Sequence, residues 1–541
     1  MTQRIDNGEF ALVRNIKIRC TPQNVAVHDA AAIDKAYKVI KKSGLSGLLG
    51  KESAFVYKMS IDARNKNEIF LVYTIAFPVS DDISSRIKAD GVELCSVSEP
   101  DFTCKRSNDG KNPVVAGFGP AGMFCALALA KAGLNPVVLE RGSDIDTRAQ
   151  KVDRYWKEGV LDTETNVQFG EGGAGTFSDG KLLTRISDKN CRYVMSTFAK
   201  HGAPSEIMYL AKPHIGTDKL RQVVKSIREE IISLGGKVYF DTRLDGINTT
   251  SDGAVTSVVT NTGLTIPCSA LFLCIGHSAR DTVTHLLKNG LDIQPKPFSV
   301  GVRIEHLREN IDKSLYGDCA GYPCLGAASY SLSAKFDGRA VYSFCMCPGG
   351  VVVASASGEG QIVTNGMSYF ARDGVNSNSA LAVSVEPSDY GATVEGAIEF
   401  QENLEKRAFA LAGGDGTAPI QLVGDFLFGK AVSEPRSVAP TYTGKTTVAC
   451  ADKVFPKFIT DTLEKGLYRF EKEIEGFSCD DAVLTFPETR TSSPVKIPRS
   501  PEYLATGYLN MYPCGEGAGY AGGITSAAVD GLNAALKFIK G

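Results

Sequence analysis

The chain has 541 residues, with 59 Lys+Arg against 61 Asp+Glu and a net charge of −2. That balance fits neither a nucleic-acid coat nor a polybasic membrane-surface protein. At roughly 150 residues per domain, the length suggests three or four domains and a core that needs no disulfide or metal staple.

The opening MTQRIDNGEF lacks a basic-then-apolar leader, and no apolar run nears the ~20 residues of a bilayer span. The expectation is a soluble cytoplasmic protein with no membrane contact. Glycine is high, 55 residues or about 10% against an average near 7%. Either a loop-rich fold or many close backbone approaches accounts for it. The 14 cysteines contain no CxxC and the six histidines no HExxH, so reduced thiols and no metal site are expected.

Residues 1–108 read as a small α+β module. LVRNIKIRC (12–20), SAFVYKMSI (53–61) and NEIFLVYTIAF (67–77) are β-rich, and Ile33, Tyr37 and Ile40 keep helical spacing before Gly44. Arg14–Lys66 carries eleven basic and four acidic residues, a solvated face or a grip for nucleic acid. SNDGKNP (107–113) marks a linker.

From 113 the pattern is strand, glycine turn, helix, strand. A helix is expected over 217–236, then a strand KVYFDTRLDGI and another, ALFLCIG, ending at Gly276. Residues 296–489 turn β-rich, with 338–357, around YSFCMCPGGVVVASAS, resembling a hairpin and a helix near 395–412. The last 35 residues return to strand, glycines and helix.

The sharpest motif is PVVAGFGPAGMFCALALAKAGLNPVVLERG, residues 113–142. Gly117 permits the tight turn, Gly119 lets the backbone approach a pyrophosphate, and Gly122 lets the helix opening at Pro120-Ala121 pack on the strand. Glu140, followed by Arg141, ends the second strand, where a carboxylate accepts ribose hydroxyls. This motif alone leaves FAD and NAD equally open. A second glycine run, VQFGEGGAGTFSDGKL, reads as a surface loop or as a loop lining the same cofactor. In the latter reading Gly172, Gly173, Gly175, Thr176, Ser178, Asp179 and Lys181 face the ligand.

At the C-terminus, TGYLNMYPCGEGAGYAGGITSAAVDGLNAALKFI reads as strand, Gly515-Glu516, glycine turn and helix. It resembles the closing motif of two-segment FAD-binding folds, in which an acid after Gly holds a ribityl hydroxyl. Such folds usually carry Asp where this chain has Glu516. A helix starting at Gly523–Ile524 directs its positive end at reduced flavin. Non-covalent FAD is therefore expected; since no second nucleotide fold is apparent, NADH or NADPH, if used as donor, would bind only transiently, and another electron donor is equally open.

Together these segments resemble FAD-dependent oxidoreductases of the glutathione-reductase-like fold. More narrowly, the chain is similar to a bacterial family of uncharacterised FAD-dependent, or NAD(FAD)-utilising, dehydrogenases. SIDARNK (60–66), GEGGAGTFSDGKL (170–182), VYSFCMCPGGVVVASAS (341–357), TNGMSYFARDG (364–374), FPETRTSSPVKIPRS (486–500) and YPCGEGAGYAGGITSAAVDG (512–531) carry the likeness. The resemblance implies an α/β, Rossmann-like discontinuous FAD-binding domain with an inserted β-rich α+β domain and a small N-terminal α+β domain. The boundaries are 1–108, 109–295 (first FAD segment), 296–489 (inserted, substrate-side) and 490–541 (second FAD segment).

Candidate chemistry falls on few residues. Cys345 and Cys347 read as buried small residues, a redox pair or substrate contacts. As i and i+2 on a regular strand, their Cα atoms would stand ~6.5–7 Å apart, at the edge of disulfide range. Arg490 orients an anionic substrate, stabilises reduced flavin or forms a structural ion pair. Asn365, Ser368 and Arg372 are weaker substrate-side candidates, and His277 packs or hydrogen-bonds near the cofactor. The leading expectation is an FAD oxidoreductase acting on a small molecule. An RNA-acting flavoprotein gripping through residues 14–66, or a binding protein with structural FAD, are the alternatives.

Overall fold

The computed structural model describes residues 8–80, 87, 89–105, 110–430 and 432–541. Part of the linker expected at 107–113 therefore lies outside the described residues.

Three-residue strands build the sheet that matters most. Met511–Pro513, Leu271–Leu273, Val114–Ala116, Val137–Leu139 and Lys237–Tyr239 lie side by side in that order, all parallel. The first four are buried at every position, as a parallel sheet covered on both faces demands. One strand thus comes from the far end of the chain, more than 200 residues after its neighbour.

Helix Pro120–Lys131 is apolar almost all round, because the sheet lies against one side of it and helices Thr217–Ser233 and Ile524–Lys540 against the others. A Cβ on Gly531 would sit 2.0 Å from the Ala121 carbonyl oxygen, so the closing helix crosses here only because that residue is glycine.

The expected strand over 237–247 is in fact two, Lys237–Tyr239 and Leu244–Thr249. Asp241, at φ +51°, turns the chain out of the parallel sheet. Leu244–Thr249 joins Val255–Thr260 and Thr265–Pro267 in a small antiparallel sheet. The first module is a four-stranded antiparallel sheet ordered Phe55–Asp62, Phe70–Val79, Gly8–Arg19, Glu93–Val97, with helix Val25–Lys42 packed on it. Of its basic residues, Arg14, Lys51 and Arg64 pair with Glu93, Asp34 and Asp62.

A seven-stranded sheet occupies the β-rich region, in the order Ser333–Phe336, Arg339–Cys347, Asn376–Val385, Phe298–Leu307, Val483–Glu488, Ala418–Leu422, Thr446–Val448. The expected hairpin over 338–357 does not form. Arg339–Cys347 pairs with Asn376–Val385, while Val351–Ala354 pairs with Thr364–Met367. Pro348 offers no N–H, and Gly349 at φ +51° turns the chain away from the sheet.

The central strand Phe298–Leu307 is buried on both faces, which differ in chemistry. Phe298, Val300, Val302 and Ile304 join the large apolar core, whereas Arg303 and Glu305 line a polar face with Asn376, Asn378 and Glu488.

Candidate functional site

The carboxyl ends of four parallel strands run directly into Gly117, Glu140, Cys274–Gly276 and Cys514–Glu516, so one sheet edge gathers the sequence candidates. Each glycine of the fingerprint has its own reason. Gly117 sits at φ +99°, and a Cβ there would be 2.3 Å from the Cys274 carbonyl oxygen. A Cβ on Gly122 would stand 1.9 Å from the Gly117 carbonyl oxygen. Gly119 differs: a Cβ would meet only the Gly173 Cα, at an ordinary 3.7 Å. Protein packing therefore requires Gly117 and Gly122, while Gly119 leaves a face free at the start of helix Pro120–Lys131.

Glu140 is buried, and its carboxylate accepts the backbone N–H groups of Phe118 (2.8 Å), Gly142 (3.0 Å) and Gly170 (2.9 Å). It thus ties the first glycine loop to the second. Arg141 turns aside to Glu164 and Asp281, over the Phe169 ring.

The second loop packs on the first, with Gly173 against Gly119 and Gly175 against Ile524. Its organiser escaped sequence reading. Arg148 is fully buried and donates to the carbonyls of Asn166, Val167, Gly170, Glu171 and Gly173. A basic residue on the inward face of the amphipathic helix Ile145–Glu158 was the available signal. Ser178 donates to Gly175 O, and Thr176 keeps a buried hydroxyl without a hydrogen-bond partner. Asp179 pairs with Arg372 and Lys181. These two cations hold its carboxyl below the usual range against the opposing effect of burial.

The closing segment completes the edge. Gly515 N donates to Asp530, which also clamps Arg499, so the single acid of helix Ile524–Lys540 fixes the turn before Glu516. Glu516 faces His277, Oε1 to Nδ1 at 3.3 Å, while His277 Nε2 is buried without a partner. Around this pair Gly276, Gly522 and Gly523 face open space, while Gly517 packs on Gly276. Helix Ile524–Lys540 starts there with no acidic residue in its first turn. Open-faced glycines, an orphaned imidazole nitrogen, a carboxylate and two helix N-termini fit a nucleotide that offers phosphates and hydroxyls.

On the facing polar sheet, Arg303 is fully buried and paired with Glu488 at 3.0 Å. Burial pushes Glu488 up to about 7 despite that arginine. Arg303 also reaches the Cys345 carbonyl (2.6 Å) and the Cys347 sulfur (3.8 Å). Lys181 donates to Met346 O and lies 4.0 Å from the same sulfur. Asn365 borders this cluster, while Ser368 is buried and donates to Pro348 O. Arg490 forms an ion pair: its guanidinium is shared among Glu405, Ser357 and Gln361.

Residues 297–491 match the family described as "FAD-dependent protein, C-terminal domain-like". An uncharacterized protein from Clostridium beijerinckii is 46% identical over 491 residues, covering 90% of this chain and 92% of its own length. The protein belongs to this FAD-dependent family. FAD is accordingly its cofactor, and the family is a flavoprotein one. Solved structures with partial likeness include glycine oxidase from Bacillus cereus (9% identity, TM-score 0.33, 79% of this chain and 94% of that one). L-amino acid deaminase from Proteus vulgaris is another (12% identity, TM-score 0.32, 82% and 97%). Among the described residues no helix is long and apolar enough to cross a membrane, and no group of three His, Cys, Asp or Glu gathers to hold a metal ion.

Proposed function

We propose that the protein is an FAD-dependent oxidoreductase of glutathione-reductase-like build, moving hydride between the flavin and a small-molecule substrate. The observation that carries this reading is the strand-end cluster: His277 Nε2 orphaned beside Glu516, with Gly276, Gly522 and Gly523 open around it.

Bound FAD supplies the two-electron chemistry. The protein's residues position and desolvate. The N–H groups at the start of helix Pro120–Lys131 take the pyrophosphate, with Gly119 allowing close approach. Glu516 accepts a ribityl hydroxyl, and His277 holds the carboxylate in place. The first turn of helix Ile524–Lys540 offsets negative charge on the reduced ring. Asp179 and Arg372 fix Lys181 between the two sheets, and the polar face around Arg303 meets the substrate. Arg490 positions this face through Glu405. A reduced nicotinamide is the donor in this reading, bound transiently.

Anaerobic titration of the yellow holo-protein with NADH and with NADPH tests it. Bleaching of the flavin band by one of them is expected. Protein that takes up no FAD overturns the site, and a flavin that neither donor bleaches overturns the donor.

A further inference from the structure

Cysteines meet in several places among the described residues: Cys274 hydrogen-bonds Cys125 and Cys514, and the charge around two further pairs differs. Cys20 and Cys324 lie 3.0 Å apart, Sγ to Sγ, where the first module meets the chain after helix Arg308–Tyr316. Burial there pushes the Cys20 thiol well up. Cys345 and Cys347 lie on the polar face of the seven-stranded sheet, and here the direction reverses. The Cys347 thiol hydrogen-bonds Cys345, and Lys181 and Arg303 add positive charge, so the Cys345 thiol is drawn down.

The backbone explains how the two cysteines come together, with Cys347 Sγ 3.3 Å from the Cys345 carbonyl oxygen. Regular strand geometry would hold residues i and i+2 apart. Here the register slips between Phe344 and Cys347, placing one extra residue opposite Ser379. Cys345 takes up the slip at φ +45°. A side chain held in this left-handed region is costly and persists where its surroundings fix it, often beside a functional site. Arg303 on the Cys345 carbonyl and Lys181 on the Met346 carbonyl are those surroundings.

Lys181 also gives the bulge its address. The next residue, Leu182, accepts a hydrogen bond from Thr525 Oγ1 (2.7 Å) in the first turn of the closing helix. Lys181–Leu182 thus has the cysteine pair on one side and the flavin-facing helix end on the other. Cys345 is partly exposed and Cys347 buried, which suits an entry sulfur and a resolving sulfur.

We propose that Cys345 and Cys347 are a redox-active dithiol that exchanges two electrons with the bound flavin, and that the substrate class is a disulfide. This rests on the flavin site proposed above. The Cys345 thiolate attacks one substrate sulfur, breaking the substrate S–S bond and releasing one half as thiolate. Cys347 gives its proton to that thiolate and attacks Cys345 Sγ, closing the Cys345–Cys347 bond and releasing the second half. Two electrons and one proton from the reduced flavin then reopen the pair as thiolate and thiol. A reduced nicotinamide supplies the hydride that restores the flavin.

The test equilibrates anaerobic holo-protein with mixtures of oxidised and reduced dithiothreitol, then quenches in acid, alkylates and maps the peptides. The peptide holding Cys345 and Cys347 is expected to lose both alkylation sites together as the oxidised fraction rises. In a dithionite titration, oxidised wild type should take up about twice the electrons of Cys347→Ser before the flavin is fully bleached, since a disulfide and a flavin accept two each. For Lys181→Met, Cys345 alkylation near neutral pH should slow about tenfold, one pKa unit.

Cysteines alkylated at every ratio overturn the proposal without any variant. A disulfide that forms while wild type and Cys347→Ser take up equal electrons overturns the coupling and leaves the flavin site standing. Running the alkylation on FAD-free protein separates the two readings further. A pair that closes in protein unable to retain FAD overturns the flavin site, and the coupling with it.

Discussion

Gly119 and Gly122 share one motif, and the structure predicts different fates for them. A Cβ on Gly119 has a 3.7 Å contact with Gly173 Cα, and the backbone there (φ −76°, ψ −174°) suits any residue. Gly119→Ala should therefore fold, losing about 1 kcal/mol or less from a poorer helix N-cap. Its methyl instead occupies the face that a pyrophosphate must approach. Overpacking of this kind costs about 1–3 kcal/mol, or roughly 5- to 150-fold in the FAD Kd. Gly119→Val should abolish retention. Gly122→Ala places its methyl 1.9 Å from the Gly117 carbonyl oxygen, more than 1 Å inside contact, so helix and turn must separate. Stability there should fall by ~3 kcal/mol or more, with FAD binding lost as a consequence. Urea denaturation of the apo-proteins and FAD titration of each variant read the two quantities separately. A Gly119→Ala protein that binds FAD as wild type does would show that this loop does not approach the cofactor. One that unfolds like Gly122→Ala would show that the packing argument is wrong.

Glu516→Ala removes a charge-assisted acceptor worth about 1.5–3 kcal/mol, so FAD should wash out on ultrafiltration with Kd raised roughly 10- to 150-fold; unchanged retention counts against the site. Arg148→Met strips five carbonyls of a buried donor, and at ~1–3 kcal/mol for each group left unpaired the loss should exceed ~3 kcal/mol. A urea midpoint within ~1 kcal/mol of wild type would refute that role. Burial pulls His306 down to about 4, and its neutral ring donates Nε2–H to Phe477 O at 2.6 Å. The unfolded chain binds the extra proton between that value and ~6.5. Stability from this group is thus full above pH 6.5 and falls as pH drops toward 4, by up to ~3 kcal/mol. His306→Asn should flatten this slope in urea unfolding at pH 4.5 and 7, and an unaltered slope would sink the assignment.

What the sequence revealed and what it hid divide along the range of the interactions. The fingerprint at 113–142 is local: strand, turn and helix are consecutive, so spacing alone locates Gly117, Gly119, Gly122 and Glu140. The hairpin reading of 338–357 failed because strand partners are set by distant chain. Val351–Ala354 is as apolar and β-branched as a hairpin arm, yet its edge belongs to Thr364–Met367. Arg148, Arg303 and Asp530 were missed for the same reason. Each is a charged side chain whose partners lie elsewhere in sequence, and composition counts such residues as surface. The bulge at Cys345 is likewise invisible in the letters CMC, since the extra residue is defined only against Asn376–Val385.

Charge buried between segments also explains how two sheets keep one geometry. Arg280, just beyond Gly276, places its guanidinium on Glu405 of helix Val394–Leu411 at 2.8 Å, and Arg490 approaches the same carboxylate at 3.2 Å. The two arginines hold Glu405 down at about 2 although burial alone would raise it. Three segments far apart in sequence are thereby fixed at one point: the end of a parallel strand, a helix of the β-rich region, and the chain after Glu488. An apolar trio of equal volume would be at least as stable, since desolvating three charges offsets most of their attraction. It would also tolerate sliding, whereas the shared carboxylate accepts its two partners in one arrangement. That registry lets Arg303 and the Cys345 bulge on one sheet meet Lys181, which is tethered to the other.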